Sequence, residues 1–141
     1  MKINTLMMVA AVGFALVGCN KAESPAEVQQ DVTSAQAEAQ KDVTDAQADA
    51  RENMADAQKD VADAQADNDA GDAADAAQDA SDSAAKGEYK VAVAQADANH
   101  KVAVEKCEAL EGSAQQDCKD RADNEYENAK RQAELRRDGT G

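Results

Sequence analysis

Apolar positions fall into three patterns along this chain. Leu6 to Val17 are an unbroken apolar run of twelve residues. From Pro25 to about Asn68 the apolar positions thin to a stripe: Val32, Ala35, Ala39, Val43, Ala46, Ala50, Met54, Ala57, Val61 and Ala64, spaced 3-4-4-3-4-4-3-4-3. That spacing keeps them on one face of a helix. Beyond Glu88 two shorter stripes appear. Tyr89, Val93, Ala96, His100, Ala103 or Val104, Cys107 and Leu110 share one face, and Cys118, Ala122, Tyr126, Ala129 and Ala133 share another. The patterns predict an all-α protein: one long helix, then a helical hairpin.

The long stripe rides on a repeat. Asp-Val-x-x-Ala-Gln recurs at Asp31, Asp42, Asn53 (as Asn-Met) and Asp60, at spacings of 11, 11 and 7. An eleven-residue period gives about 3.67 residues per turn, a nearly straight helix with a slight right-handed drift. Ser24-Pro25-Ala26-Glu27 predicts its start, with a capping serine, a proline at the first helical position and a glutamate completing a capping box. A helix over 25–68 would be about 66 Å long. Two readings stay open for it. One is a self-associating coiled-coil or spacer stalk, and the other an isolated solvated helix. The stripe is mostly alanine, so each layer buries little.

Residues 69–87 lose the valine positions and contain Gly71 and Gly87, which reads as a flexible acidic linker. Asp67, Asp69 and Asp72 do not make a calcium loop. An EF-hand counted from Asp67 needs an oxygen ligand where Gly71 stands and a glycine where Asp72 stands.

In the C-terminal third, Leu110-Glu111-Gly112-Ser113 interrupts the two stripes. Gly112 suits the left-handed residue after a helix end, and Ser113 with Gln116 predicts a capping box for the next helix. A turn this short makes the two helices antiparallel neighbours. Cys107 and Cys118 are symmetric about it, so antiparallel packing sets them opposite one another as a disulfide. The same register places His100 near Tyr126 and Ala96 near Ala129. A catalytic thiol or a metal pair with His100, the one histidine, are the competing readings. Zinc wants three or four ligands and a Cys–His nucleophile wants an orienting third group. No catalytic residue, metal site or cofactor is expected.

Composition narrows the function. The 29 acids outnumber the 15 Lys and Arg, for a net charge of −14. That argues against nucleic acid, whose phosphates need a basic face. From Cys19 onwards, Leu, Ile, Val and Phe are ten of 123 residues. Such a level lies far below the roughly 20% that marks a packed domain at high net charge. Alanine, the best helix former, fills 31 of the same positions. The chain can therefore be helical without the convergent walls of an enzyme pocket, and it reads as non-enzymatic. Residues 22–85 hold 17 acids against three bases, and residues 86–141 hold 12 against ten.

The N-terminal run supplies an address. Twelve apolar residues are too few to span a membrane and suit the core of a signal peptide behind Lys2. The run closes on Leu16-Val17-Gly18-Cys19, which resembles the lipobox of bacterial lipoproteins at all four positions. The resemblance implies cleavage between Gly18 and Cys19, a diacylglyceryl group on the Cys19 sulfur and acylation of the new amine. Three acyl chains exceed the two signals stable anchoring needs. Asn20 after the cysteine leans towards the outer membrane rather than inner-membrane retention. The competing reading is an ordinary secretory signal with a chance cysteine. A periplasmic setting also suits a disulfide.

The acidic repeats further resemble Braun-type murein lipoprotein and the eleven-residue repeats of desiccation-protective hydrophilic proteins. The cysteine pair resembles that of short Ala-rich envelope segments of Gram-negative bacteria. The Braun-type protein ends in a lysine joined to peptidoglycan, whereas this chain closes on RRDGTG.

These readings divide the chain into a signal peptide (1–18), a lipidated tether (19–24), an acidic helix (25–68), a flexible linker (69–87), a hairpin (88–137) and a disordered tail (138–141). They lead to an outer-membrane lipoprotein facing the periplasm, structural or stress-related, whose stalk holds the hairpin several nanometres from the membrane. The alternatives are a protective hydrophilic protein, or a module in which the hairpin, through the basic stretch KRQAELRR (130–137), binds an envelope protein or peptidoglycan. Self-association through 25–68 would favour the spacer.

Like charges four apart, such as Asp45/Asp49, Glu52/Asp56 and Asp56/Asp60, each cost the helix a few tenths of a kcal/mol. Helicity measured by circular dichroism should therefore rise between about pH 7 and about pH 4, where carboxylates take up protons. Identical spectra would show that this repulsion is negligible.

Overall fold

A computed structural model describes residues 22–67 and 70–139. Its described residues form three helices, α1 (Pro25–Ala66), α2 (Ala70–Cys107) and α3 (Gly112–Arg137). The lipobox, with Gly18 and Cys19, lies outside the described residues.

α1 starts as its sequence requires. The Ser24 hydroxyl accepts from the Glu27 N–H at 3.3 Å, and the Glu27 carboxylate accepts from the Ser24 N–H at 3.0 Å. Pro25 follows at the first helical position, where its missing N–H costs nothing. At about 1.5 Å per residue the 42 residues of α1 run about 63 Å.

The acidic linker expected at 69–87 is not one. From Ala70 onwards these residues open α2, continuous with the first helix of the hairpin. Alanine explains this, because it loses no side-chain entropy in a helix and here it also has a seam to pack on. Ala73, Ala76, Ala80, Ser83 and Ala84 are half-buried at three- and four-residue intervals. Their spacing matches the stripe of α1, which the absence of valine had hidden.

α1 therefore folds back antiparallel on α2. Its stripe is spent within the chain. Val32, Ala35 and Ala39 are buried and the stripe loosens towards the far end, where Met54 is 41% exposed. Lys101 of α2 reaches Asp42 of α1 at 2.9 Å. The two helices come close at Gly87, where an added Cβ would stand 3.1 Å from Ala50 Cβ. Gly87, which read as a linker residue, is a buried contact of the seam.

α3 packs on α2 in the register the cysteines imply. Cys107 and Cys118 form a disulfide, Cα to Cα 5.7 Å, and His100 stacks on Tyr126 with ring centroids 5.0 Å apart. Gly112 takes φ +58°, as its place in the turn requires. The capping box expected of Ser113 and Gln116 does not form. α3 begins two residues earlier, after an extended Glu111 without a side-chain cap, and the Gln116 amide runs forward to Asp120 at 2.7 Å.

α1 and α3 both pack on α2 and, among the described residues, not on each other. On α2 the α1 side carries Gly87 and Ala98, and the α3 side carries Ala96, His100 and Cys107. The result is a single layer of three helices with two open faces rather than a closed bundle.

The Gly87 contact is testable. Gly87→Ala gains about 1 kcal/mol of helix propensity against a tight contact, and should leave stability nearly unchanged. Gly87→Leu overfills the seam and should cost about 1–3 kcal/mol. Hydrogen exchange should then accelerate through the outer half of α1 and leave α3 protected; uniform acceleration would mean the three helices open as one unit.

Candidate functional site

The two ends of the rod differ. At one end the chain before α1 meets the α2–α3 turn. The Glu23 N–H donates to the Glu108 carbonyl at 2.9 Å, and the Ala22 N–H reaches the Glu111 carboxylate at 3.4 Å. Glu108 also pairs with Lys119 and accepts from Gln115. The disulfide sits directly beneath, with Cys107 1% exposed. Two residues, Asn20 and Lys21, separate Cys19 from Ala22, a reach of about 10 Å. The hairpin turn therefore lies at the end of the rod where the N-terminal tether enters, not at the far end of a stalk. The hairpin is not carried on the far end of an extended stalk, because α1 returns along α2.

The far end is acidic. Residues 51–85 carry ten acids and two bases. Along α1 the ten acids from Asp31 to Asp67 recur at helical intervals on one flank. On α2, Asp72, Asp75, Asp79 and Asp82 do the same. The two rows meet across a groove of about 840 Å³, lined by Asp56 and Asp60 of α1 and these four aspartates of α2, with Lys86, Lys90 and Arg137 at its inner end. Among the described residues no set of three His, Cys, Asp or Glu is placed to hold a metal ion.

The opposite face of the same helix pair is nearly neutral. Gln36, Gln40 and Gln47 of α1 line it with Ala39 and Val43, facing Gln95, Ala98, Asn99 and Val102 of α2. It continues past Ala50, Met54, Ala84, Val91 and Ala92. The repeat produces this division directly. Its aspartates and its glutamines stand on opposite sides of the Val-Ala stripe.

His100 lies against α3. Its Nε2 is 2.6 Å from Asp123 Oδ1, a partner the sequence did not single out because only the register reveals it. Lys130 sits 4.8 Å over the Tyr126 ring. A thiol or metal role for Cys107 has no free sulfur to use, since the disulfide consumes it. The basic stretch 130–137 is largely engaged locally: Lys130 with Glu127, Arg131 with Asn128, and Arg137 with Asp138 and over the Tyr89 ring. No helix of the described residues is long and apolar enough to cross a membrane. No protein-family model matches the chain, and neither a curated protein nor a solved structure is similar to it.

Two carboxylates at the tether end respond to pH in opposite directions. Glu23 is half-buried, and its Oε2 has no hydrogen bond among the described residues. Burial first, then the charges of Asp31, Glu108, Glu105 and Glu27, hold its pKa above the ordinary 4.5. Glu27 lies below the same value, held there by the Ser24 hydroxyl and backbone. For Glu23 the folded state binds the proton more tightly than the unfolded state. Its contribution is present below pH 4.5 and lost as pH rises through the raised value. Glu27 does the reverse, stabilising above 4.5 and losing that contribution as pH falls. Glu23→Gln should therefore raise the melting temperature at neutral pH, with the gain vanishing in acid. An unchanged neutral melting temperature would show that Glu23 is solvated there.

Proposed function

We propose that this protein is a non-enzymatic lipoprotein of the bacterial outer membrane, facing the periplasm. It acts as a structural or stress-related component that stands off the membrane as a rigid helical rod of about 60 Å. The Cys19 lipid anchors it, and the membrane-distal tip carries the acid charge.

The observation that supports this reading is the docking of Ala22 and Glu23 on the α2–α3 turn, so few residues after Cys19. A lipid-anchored chain tied down at that point has its disulfide-braced corner next to the bilayer. The acidic tip is then set away from the anionic membrane surface, which repels it. The rod's shape comes from helix pairing along its length within one chain, which supports the spacer reading.

Two measurements test the reading together. Growth with an alkyne-bearing fatty acid should label the wild-type chain and leave Cys19→Ser unlabelled and released from the membrane fraction. The chain has no tryptophan, so single-tryptophan variants report position cleanly. In vesicles containing a dansyl-headgroup lipid, Leu110→Trp should show energy transfer and Gln65→Trp should not. Transfer from both, or from Gln65→Trp alone, would mean the rod lies flat or inverted.

A further inference from the structure

From the neutral face of the α1–α2 pair we infer that this surface docks a second copy of the chain, in a parallel two-fold dimer whose central part is a four-helix bundle. This goes beyond the anchoring reading and does not depend on it.

The face is unpartnered and continuous. Its groove runs about 33 Å from Ala84 to Lys106 of α2, with stretches of about 610 and 440 Å³ floored by Val43, Met54, Val91 and Val102. Two helices about 9 Å apart make a strip roughly 20 Å wide. That gives about 660 Å² before its grooves are counted, close to the roughly 800 Å² per partner of a specific interface.

Charge selects the occupant. At a net charge of −14, most surfaces of this chain repel a second copy. This face does not, because the acids of α1 lie on the other flank. Its lining carries Glu88, Lys106 and Arg136, Arg51 stands at its edge, and one symmetry pairs Glu88 with Arg51. Arg51 and Glu88 make no ion pair among the described residues. They stand at the same height along the rod, since Ala50 and Gly87 are the contact pair of the seam. Glu88 lines the groove, and Arg51 is one turn beyond Gln47, which also lines it. A two-fold axis along the rod lays α1 of one copy over α2 of the other at unchanged height. Arg51 then meets the partner copy's Glu88, twice in the dimer. All four neighbouring helix pairs in that bundle are antiparallel, as in up-down four-helix bundles. Both N-terminal tethers leave from the same end, so two lipid anchors can enter one membrane. The antiparallel alternative would oppose Glu88 to Lys106 and leave Arg51 unused.

Sedimentation equilibrium on the mature chain with Cys19→Ser should give a dimer mass. Arg51→Glu and Glu88→Arg should each weaken dimerisation about tenfold, and the double charge swap should restore it to within about threefold, because coupled residues show non-additive effects. Both positions are exposed, so circular dichroism of the variants should match wild type. A wild-type chain that stays monomeric overturns the proposal. So does coupling of Glu88 to Lys106 instead of Arg51, or variants that alter vesicle binding but not mass, which would assign the face to lipid.

Discussion

The close contact of α1 with α2 is what the rest of the molecule depends on. It is made by alanine and glycine, whose small side chains let two backbones approach until Ala50 faces the bare Cα of Gly87. Each buried methyl contributes only about 0.8 kcal/mol. The seam works through its length, about 40 residues on each helix, rather than through any deep centre. No residue of a thick core is required, and few are present: among the described residues the buried set is Val32, Gly87, Cys107 and alanines.

A seam of this kind gives a layer, not a globule. α2 has α1 on one side and α3 on nearly the opposite side, and a layer keeps two faces. The repeat then assigns their chemistry. With valine and alanine fixed towards α2, the aspartates must fall on one flank and the glutamines on the other. An acidic and a nearly neutral face are thus separated by geometry, within one short motif. The disulfide braces the end where the seam meets the hairpin. In the chain-entropy model a loop of this separation is worth about 3 kcal/mol, a large share of the stability available to so thin a core.

Much of the local structure was legible from the residues. Ser24, Pro25 and Glu27 announced the start of α1, and the pairing of Cys107 with Cys118 and of His100 with Tyr126 followed from symmetry about the turn. Those features rest on short-range rules: capping chemistry, helical periodicity, and the register that a tight turn imposes. The Ser113 cap was misjudged by the same rules. Gln116 had a competing partner in Asp120, and short-range patterns do not rank two available hydrogen bonds.

The sequence by itself determined that the chain is helical, that its acids sit on one flank of α1, and that its C-terminal helices are joined by a disulfide. Each of these depends only on residues within a few turns of one another. Only the tertiary structure decided that residues 70–87 are helix rather than linker, that the α1 stripe is buried within the chain, and that the hairpin turn lies at the tether end. Those outcomes turn on where α1 goes after Asp67. An alanine stripe is equally suited to a partner chain, to solvent or to its own neighbour. The choice among them comes from Gly87 and the alanines of α2 presenting a matching surface at the right height, and no local pattern contains that match.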